Sequence, residues 1–190
     1  MNSDSRVGLV WPAREYLAGY IAALQRGWSP DNLRPDAANE ELHAIAKDSS
    51  GFIATLVDKE CVGPPIKLPD GSMVPRLPGY RKWIWDGEFC GSIGFRWSPG
   101  TSALPVYCPG HIGYSVVPWK QRRGYATEAL RQMLSEAKAL GLDRVEIITD
   151  PTNEPSQRVV LTNGGVLVER FRKPEQYGSV DGLRFRIDLV

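Results

Sequence analysis

Apolar residues recur at helical spacing from Ala126 through Ala129, Leu130, Met133, Leu134 and Ala137 to Leu140, and Gly141 ends the run. The opposite face carries Glu128, Arg131, Gln132, Ser135, Glu136 and Lys138. This pattern predicts an amphipathic helix over 120–140, with one face on a sheet and the other in water. An apolar stretch from His111 to Val117 predicts the strand before it. Beyond Gly141 the alternation continues with a strand over 144–150, a helix over 154–163, and strands over 165–171 and 183–189.

The first half is less regular. Tyr16, Leu17, Tyr20, Ile21 and Leu24 form an apolar stripe from Pro12 to Arg26, closed by Gly27 and Pro30. A second helix is predicted from Asp36 to Lys47 with Leu42, Ile45 and Ala46 inward, ended by Ser49-Ser50-Gly51 before a strand from Phe52 to Val57. Five prolines between Gly63 and Gly79 exclude regular helix and mark a loop or irregular hairpin around Asp70-Gly71. Arg81 to Trp85 and Phe89 to Trp97 read as strands joined by Asp86-Gly87, a strong hairpin signal. The prolines and glycines of Ser98 to Gly110 make another irregular connection. The elements together predict an α/β (α+β) sandwich with a mixed, mostly antiparallel central sheet flanked by helices, in one domain over 1–190.

The composition suits a globular chain: 42% of the 190 residues are hydrophobic, and no internal repeat is visible. Lys and Arg total 23 against 22 for Asp and Glu, so no global charge excess points to nucleic acid or an anionic membrane, and binding chemistry must be local. No apolar run reaches membrane-spanning length, and Met1 to Val10 lacks a secretory apolar segment, so a cytoplasmic protein is the expectation. Cys61, Cys90 and Cys108 are odd in number and far apart, matching neither a zinc-ligand spacing nor a disulfide framework; reduced thiols and no metal are expected.

The sharpest local chemistry lies in Gln121-Arg122-Arg123-Gly124-Tyr125-Ala126, at the junction of the central strand and its helix. The first amides of a helix lack internal partners and sit at the positive end of its dipole, so they bind anions without a dedicated side chain. Gly124 and Ala126 keep bulk away from that turn, and Arg122 and Arg123 add positive charge. The same residues also read as an ordinary strand-to-helix connection with two solvated arginines. No G-x-x-x-x-G-K-S/T segment is present, so a P-loop nucleotide site lacks support.

The segment resembles the acetyl-coenzyme A signature of the GNAT superfamily of N-acetyltransferases, Q/R-x-x-G-x-G/A, with Gln121, Gly124 and Ala126 in its fixed places. Ile112 to Pro118 resembles the family's central strand, and Asn153-Glu154-Pro155-Ser156 with Asn163-Gly164-Gly165 resembles its second cofactor motif. The resemblance covers 111–171. It implies transfer of an acetyl group from acetyl-coenzyme A to a primary amine of a small molecule or peptide, by direct attack within a ternary complex. It further implies that the central strand splays from its neighbour. Backbone near Val116 and Val117 would then bind the pantetheine arm, the Gln121 to Ala126 turn the pyrophosphate, and Asn153 the cofactor arm.

The family often places a Tyr seven residues after the Asn to protonate the leaving thiolate; Val160 stands there. Val cannot donate a proton. Ser156 is the nearest polar candidate, with a helix-capping hydroxyl as its ordinary role. His111 is the candidate base, since it begins the central strand and imidazole titrates near neutrality, although a structural hydrogen bond is the commoner use of such a residue. Glu88, after Asp86-Gly87, is a second candidate and ordinarily a solvated turn carboxylate. Water could also take the amine's proton, leaving positioning as most of the catalysis. Core packing accounts for Trp28, Trp83, Trp85, Trp97 and Trp119, and a solvated strand edge for Arg170, Arg172 and Lys173. The competing function is a non-catalytic acyl-coenzyme A sensor or binding module, which Val160 favours. A homodimer is the commonest symmetric assembly.

Overall fold

Asp48 decides the first departure from the pattern. Its Oδ1 accepts the Gly51 N–H at 2.9 Å, capping a helix over Ser49–Thr55 where alternation predicts a strand from Phe52 to Val57. Phe52 and Leu56, one helical turn apart, are both buried, so the cap and an i, i+4 apolar pair override the β-branched content. Only Val57–Asp58 is extended.

The protein, a computed structural model, is described over residues 7–31, 34, 36–68, 71–173 and 181–189. Asp70 and the start of the Met1 to Val10 stretch fall outside those residues. The strands are β1 (Gly8–Val10), β2 (Val57–Asp58), β3 (Ile66–Lys67), β4 (Met73–Val74), β5 (Gly79–Trp85), β6 (Phe89–Arg96), β7 (Ile112–Val116), β8 (Arg144–Thr149), β9 (Val166–Arg172) and β10 (Asp181–Asp188). The helices are α1 (Leu17–Gln25), α2 (Ala37–Lys47), α3 (Ser49–Thr55), α4 (Tyr125–Ala139) and α5 (Glu154–Thr162). The expected class holds: a mixed α/β fold whose paired strands are antiparallel and whose helices flank the sheets.

The chain divides into two compact units. The first gathers the described residues of Met1–Asp58, Tyr80–Gly94 and Tyr114–Gln132. Its sheet runs β1-β5-β6-β7, with β2 also pairing to β5. Tyr20 of α1 is fully buried and stacks on Trp83 of β5, ring centroids 4.8 Å apart, with Phe52, Phe89 and Trp28 around it. Trp85 leans on Tyr16 on the same side of β5, as the alternation predicts. Arg81 bonds Glu41 at 2.9 Å and the Tyr20 hydroxyl at 3.3 Å, so the buried phenol has polar partners. In α2, Ala37, Ala38 and Ile45 are buried, whereas Ala46, expected inward, is exposed.

The second unit gathers the described residues of Lys59–Gly79, Phe95–Gly113 and Met133–Val190. Its three-stranded sheet runs β8-β10-β9, and Val145, Ile147, Leu183, Phe185 and Ile187 are buried in it. The proline-rich segment forms the small hairpin β3–β4, closed by the Leu68 N–H to the Ser72 carbonyl at 2.8 Å. Arg184 bridges Glu146 at 2.6 Å and Glu169 at 2.8 Å across the sheet. Of the basic residues near its edge, Arg172 pairs with Asp181 at 3.5 Å and Lys173 with Asp150.

Candidate anion-binding turn and its surroundings

The turn predicted to hold an anion belongs to the first unit. After β7 the chain makes one 3-10 turn, Pro118–Lys120, then crosses Gln121 to Gly124 into α4. Arg122 and Gly124 take left-handed backbone, with φ of 62° and 79°. Alternation of this kind folds successive amides into a concavity suited to an anion. The first internal bond of α4 runs from the Glu128 N–H to the Gly124 carbonyl at 3.0 Å, so the amides before Glu128 precede the helical ladder. Gln121, Arg122, Arg123 and Gly124 are exposed, and a Cβ added at Gly124 would meet nothing within 4 Å. The space beside this turn is open, and Gly124 serves it through its backbone angle.

The turn is tied down from both sides. The Gln121 side-chain amide donates to the Val116 carbonyl at 3.2 Å, and an Arg123 N–H donates to the Trp119 carbonyl at 3.4 Å. The Val117 N–H donates to the Cys90 carbonyl at 2.9 Å, so this end of β7 is held to β6. At Gly91, φ is 151°, and an added Cβ would collide with the Ser115 carbonyl oxygen and lie 2.8 Å from the Val116 Cα. Only a glycine lets β6 approach β7 here.

Asp86, read from the sequence only as a hairpin residue, proves to be a hub. Its Oδ1 accepts from Lys120 Nζ at 2.7 Å and the Glu88 N–H at 3.2 Å, and its Oδ2 accepts from the Tyr125 hydroxyl at 2.5 Å. Burial pushes the Asp86 carboxyl up, but hydrogen bonds from Lys120, Tyr125 and Cys90 outweigh it and bring it down to about 2. Lys120 is buried, an exception for its type, and Glu88 completes its pairing at 3.0 Å. Burial lowers the Lys120 ammonium's pKa, yet its two carboxylates raise it further, so it stays charged. Burial, with Asp86 beside it, pushes the Cys90 thiol up to about 12. Glu88 keeps its side chain 80% exposed and serves here as an ion-pair partner. The sequence signal for this cluster was weak, because 34 and 39 residues separate Asp86 from its partners.

Beside the hairpin turn lies a cleft of about 310 Å³, bordered by Gly19, Ala22, Arg26, Trp85, Glu88 and Trp119. The Arg26 guanidinium stands 3.4 Å from the centre of the Trp119 ring, a cation–π pair.

The remaining candidates belong to the second unit. Asn153 is the N-cap of α5, and its Oδ1 accepts the Ser156 N–H at 3.2 Å. The capping side chain is thus Asn153, with Ser156 in the first turn. Val160 is fully buried against the Gly165 backbone, a packing position. His111 is also fully buried. Its N–H donates to the Glu146 carbonyl at 2.8 Å, its carbonyl accepts from Arg96 at 2.9 Å, and its Nδ1 accepts the Glu146 N–H at 2.9 Å. The imidazole thereby takes the place of a backbone acceptor, and its Nε2 is buried without a hydrogen-bond partner. Burial, the largest influence, lowers its pKa to about 4 despite Glu146, so the ring is neutral at physiological pH.

Among the described residues Cys61, Cys90 and Cys108 form no disulfide. Among the described residues no group of three or more His, Cys, Asp or Glu could hold a metal ion, and no helix is long and apolar enough to cross a membrane.

Residues 72–166, which contain the turn, match a family model described as the acetyltransferase (GNAT) domain. Among curated proteins, the uncharacterized N-acetyltransferase YoaA of Bacillus subtilis (strain 168) is 32% identical over 78 residues, covering 40% of this chain and 41% of that protein. The chain therefore aligns with less than half the length of that relative. The microcin C7 self-immunity acetyltransferase MccE, solved in complex with acetyl-CoA and AMP, is similar in fold with a TM-score of 0.60 at 15% identity, over 96% of this chain and 92% of that one. RimL, a ribosomal L7/L12 α-N-protein acetyltransferase solved with coenzyme A, gives 0.61 at 13% identity, over 96% and 93%.

Proposed function

This chain belongs to the GNAT acetyltransferase family, and from that premise we propose that it is an acetyl-coenzyme A-dependent N-acetyltransferase acting on a primary amine of a small molecule or peptide. The observation that carries the reading is the left-handed turn at Arg122 and Gly124, opening into solvent at the N-terminus of α4 within the matched segment. A pyrophosphate suits this turn: the amides ahead of the helical ladder donate to it, and Arg122 and Arg123 offset its charge. Two solved members of similar fold carry acetyl-CoA or coenzyme A, which supports the same donor here. The donor supplies an activated acetyl thioester, and the acceptor amine takes the acetyl by direct attack in a ternary complex.

Val116, Val117 and Asn153 are proposed as further contacts to the donor's arm. Gln121 orients that stretch by holding the Val116 carbonyl. For the amine's proton, water is the proposed acceptor. The fully buried His111, whose Nδ1 takes the Glu146 N–H, is proposed to hold Glu146 in place. Ser156 is left with an expected role in the first turn of α5, and positioning supplies most of the rate.

Purified protein titrated with acetyl-coenzyme A and then offered a panel of amines tests the reading. Micromolar binding and thiol release with at least one amine are the expected results. Gly124→Glu should abolish binding, because any side chain at this φ is strained and a carboxylate there repels phosphate. Stabilisation by ATP that coenzyme A fails to reproduce would overturn the proposal. Binding without thiol release across the panel would favour the sensor reading, which draws on Val160 at the place of the usual acid.

A further inference from the structure

We infer that Asp86 is the positioning residue of the anion-binding turn, setting its geometry for the donor's pyrophosphate; this rests on the reading of that turn given above. The turn proper is four residues, Gln121 to Gly124, and Asp86 holds the residue on each side of it. One oxygen takes Lys120, immediately before the turn, at 2.7 Å, and the other takes Tyr125, immediately after it, at 2.5 Å. A carboxylate is rigid and planar, so the two side chains are held at a set separation. The Glu88 N–H on Oδ1 at 3.2 Å anchors the carboxylate in its own hairpin turn, and the paired strands β5 and β6 carry that turn.

The cluster also settles which charges face a ligand. Lys120 has a side chain only 8% exposed and spends its charge on Asp86 and Glu88. The cations left to meet a phosphate at this turn are Arg122 and Arg123, both exposed. Asp86 therefore acts through backbone placement. With the turn held at both ends before binding, its amides converge without a further ordering cost; with the clamp released, that cost is deducted from affinity.

Coenzyme A and pantetheine separate this role from a general structural one, because only coenzyme A carries the phosphates. Asp86→Asn keeps the shape and one acceptor oxygen but replaces the other oxygen with an NH2 donor, which cannot accept from Lys120 or Tyr125. Titration should show the coenzyme A dissociation constant rising about tenfold, with pantetheine affinity and circular dichroism unchanged. Tyr125→Phe, which frees only the helix side of the clamp and leaves the ion pairs, should raise it about threefold and serves as the test if Asp86→Asn fails to fold. Unchanged coenzyme A affinity in the folded variant, or equal loss for both ligands, would overturn the inference. Failure of the unmodified protein to bind coenzyme A would instead remove the underlying reading of the turn.

Discussion

His111 occupies a place in the second unit where a strand would otherwise supply a carbonyl. Its own carbonyl faces Arg96 and its Nδ1 receives the Glu146 amide, so one residue serves two neighbours. Removing the ring in His111→Ala orphans a buried N–H and should cost about 1–3 kcal/mol, read by chemical denaturation. The titration has a definite sign. The folded pKa, about 4, lies below the ordinary 6.5, so the unfolded chain binds the extra proton between those values. Stability is fully present above 6.5 and is lost as pH falls toward 4, at about 1.4 kcal/mol per pH unit for one proton. His111→Asn, whose Oδ1 can stand in for Nδ1, should keep most of the stability and flatten that slope. An unaltered slope in this variant would mean another group titrates there.

At the scale of elements, two close approaches make sharp tests. Gly91→Ala puts a Cβ against the Ser115 carbonyl and should loosen the pairing of β6 with β7, destabilising by about 1–3 kcal/mol in thermal unfolding. Val160→Tyr recreates the family's usual phenol, yet Val160 is fully buried against the Gly165 backbone. Overpacking at about 1–3 kcal/mol and no gain in turnover are expected. A stable variant with faster thiol release would show that α5 can carry an acid at this position. α3 forms against the composition of its own residues. The run from Phe52 to Val57 has strand composition, but an Asp three residues before Gly51 caps a helix, and that local bond prevails.

For the whole molecule, linkage gives the most general test. Ligand at a hundred times its dissociation constant stabilises by about 2.7 kcal/mol, and for a chain of this size each kcal/mol shifts Tm by roughly 2–4 °C. Saturating coenzyme A should therefore raise Tm by about 5–10 °C, a gain that Gly124→Glu should lose. Much of this was determined by sequence alone. Helical periods marked α1, α2, α4 and α5 and alternation marked β8, because burial of one face leaves that signature, whereas aromatic and β-branched content and turn residues marked β5 and β6. Gln121, Gly124 and Ala126 marked the turn into α4, whose left-handed backbone at Gly124 is a local demand. What only tertiary structure decided are the partners of buried charge and polarity: Asp86 with Lys120 and Tyr125, His111 with Glu146, Arg81 with Glu41. Such pairs join residues 34 to 40 positions apart. No periodicity records them, because a hydrogen bond is specified by distance and direction in space, which exist only once the chain has folded.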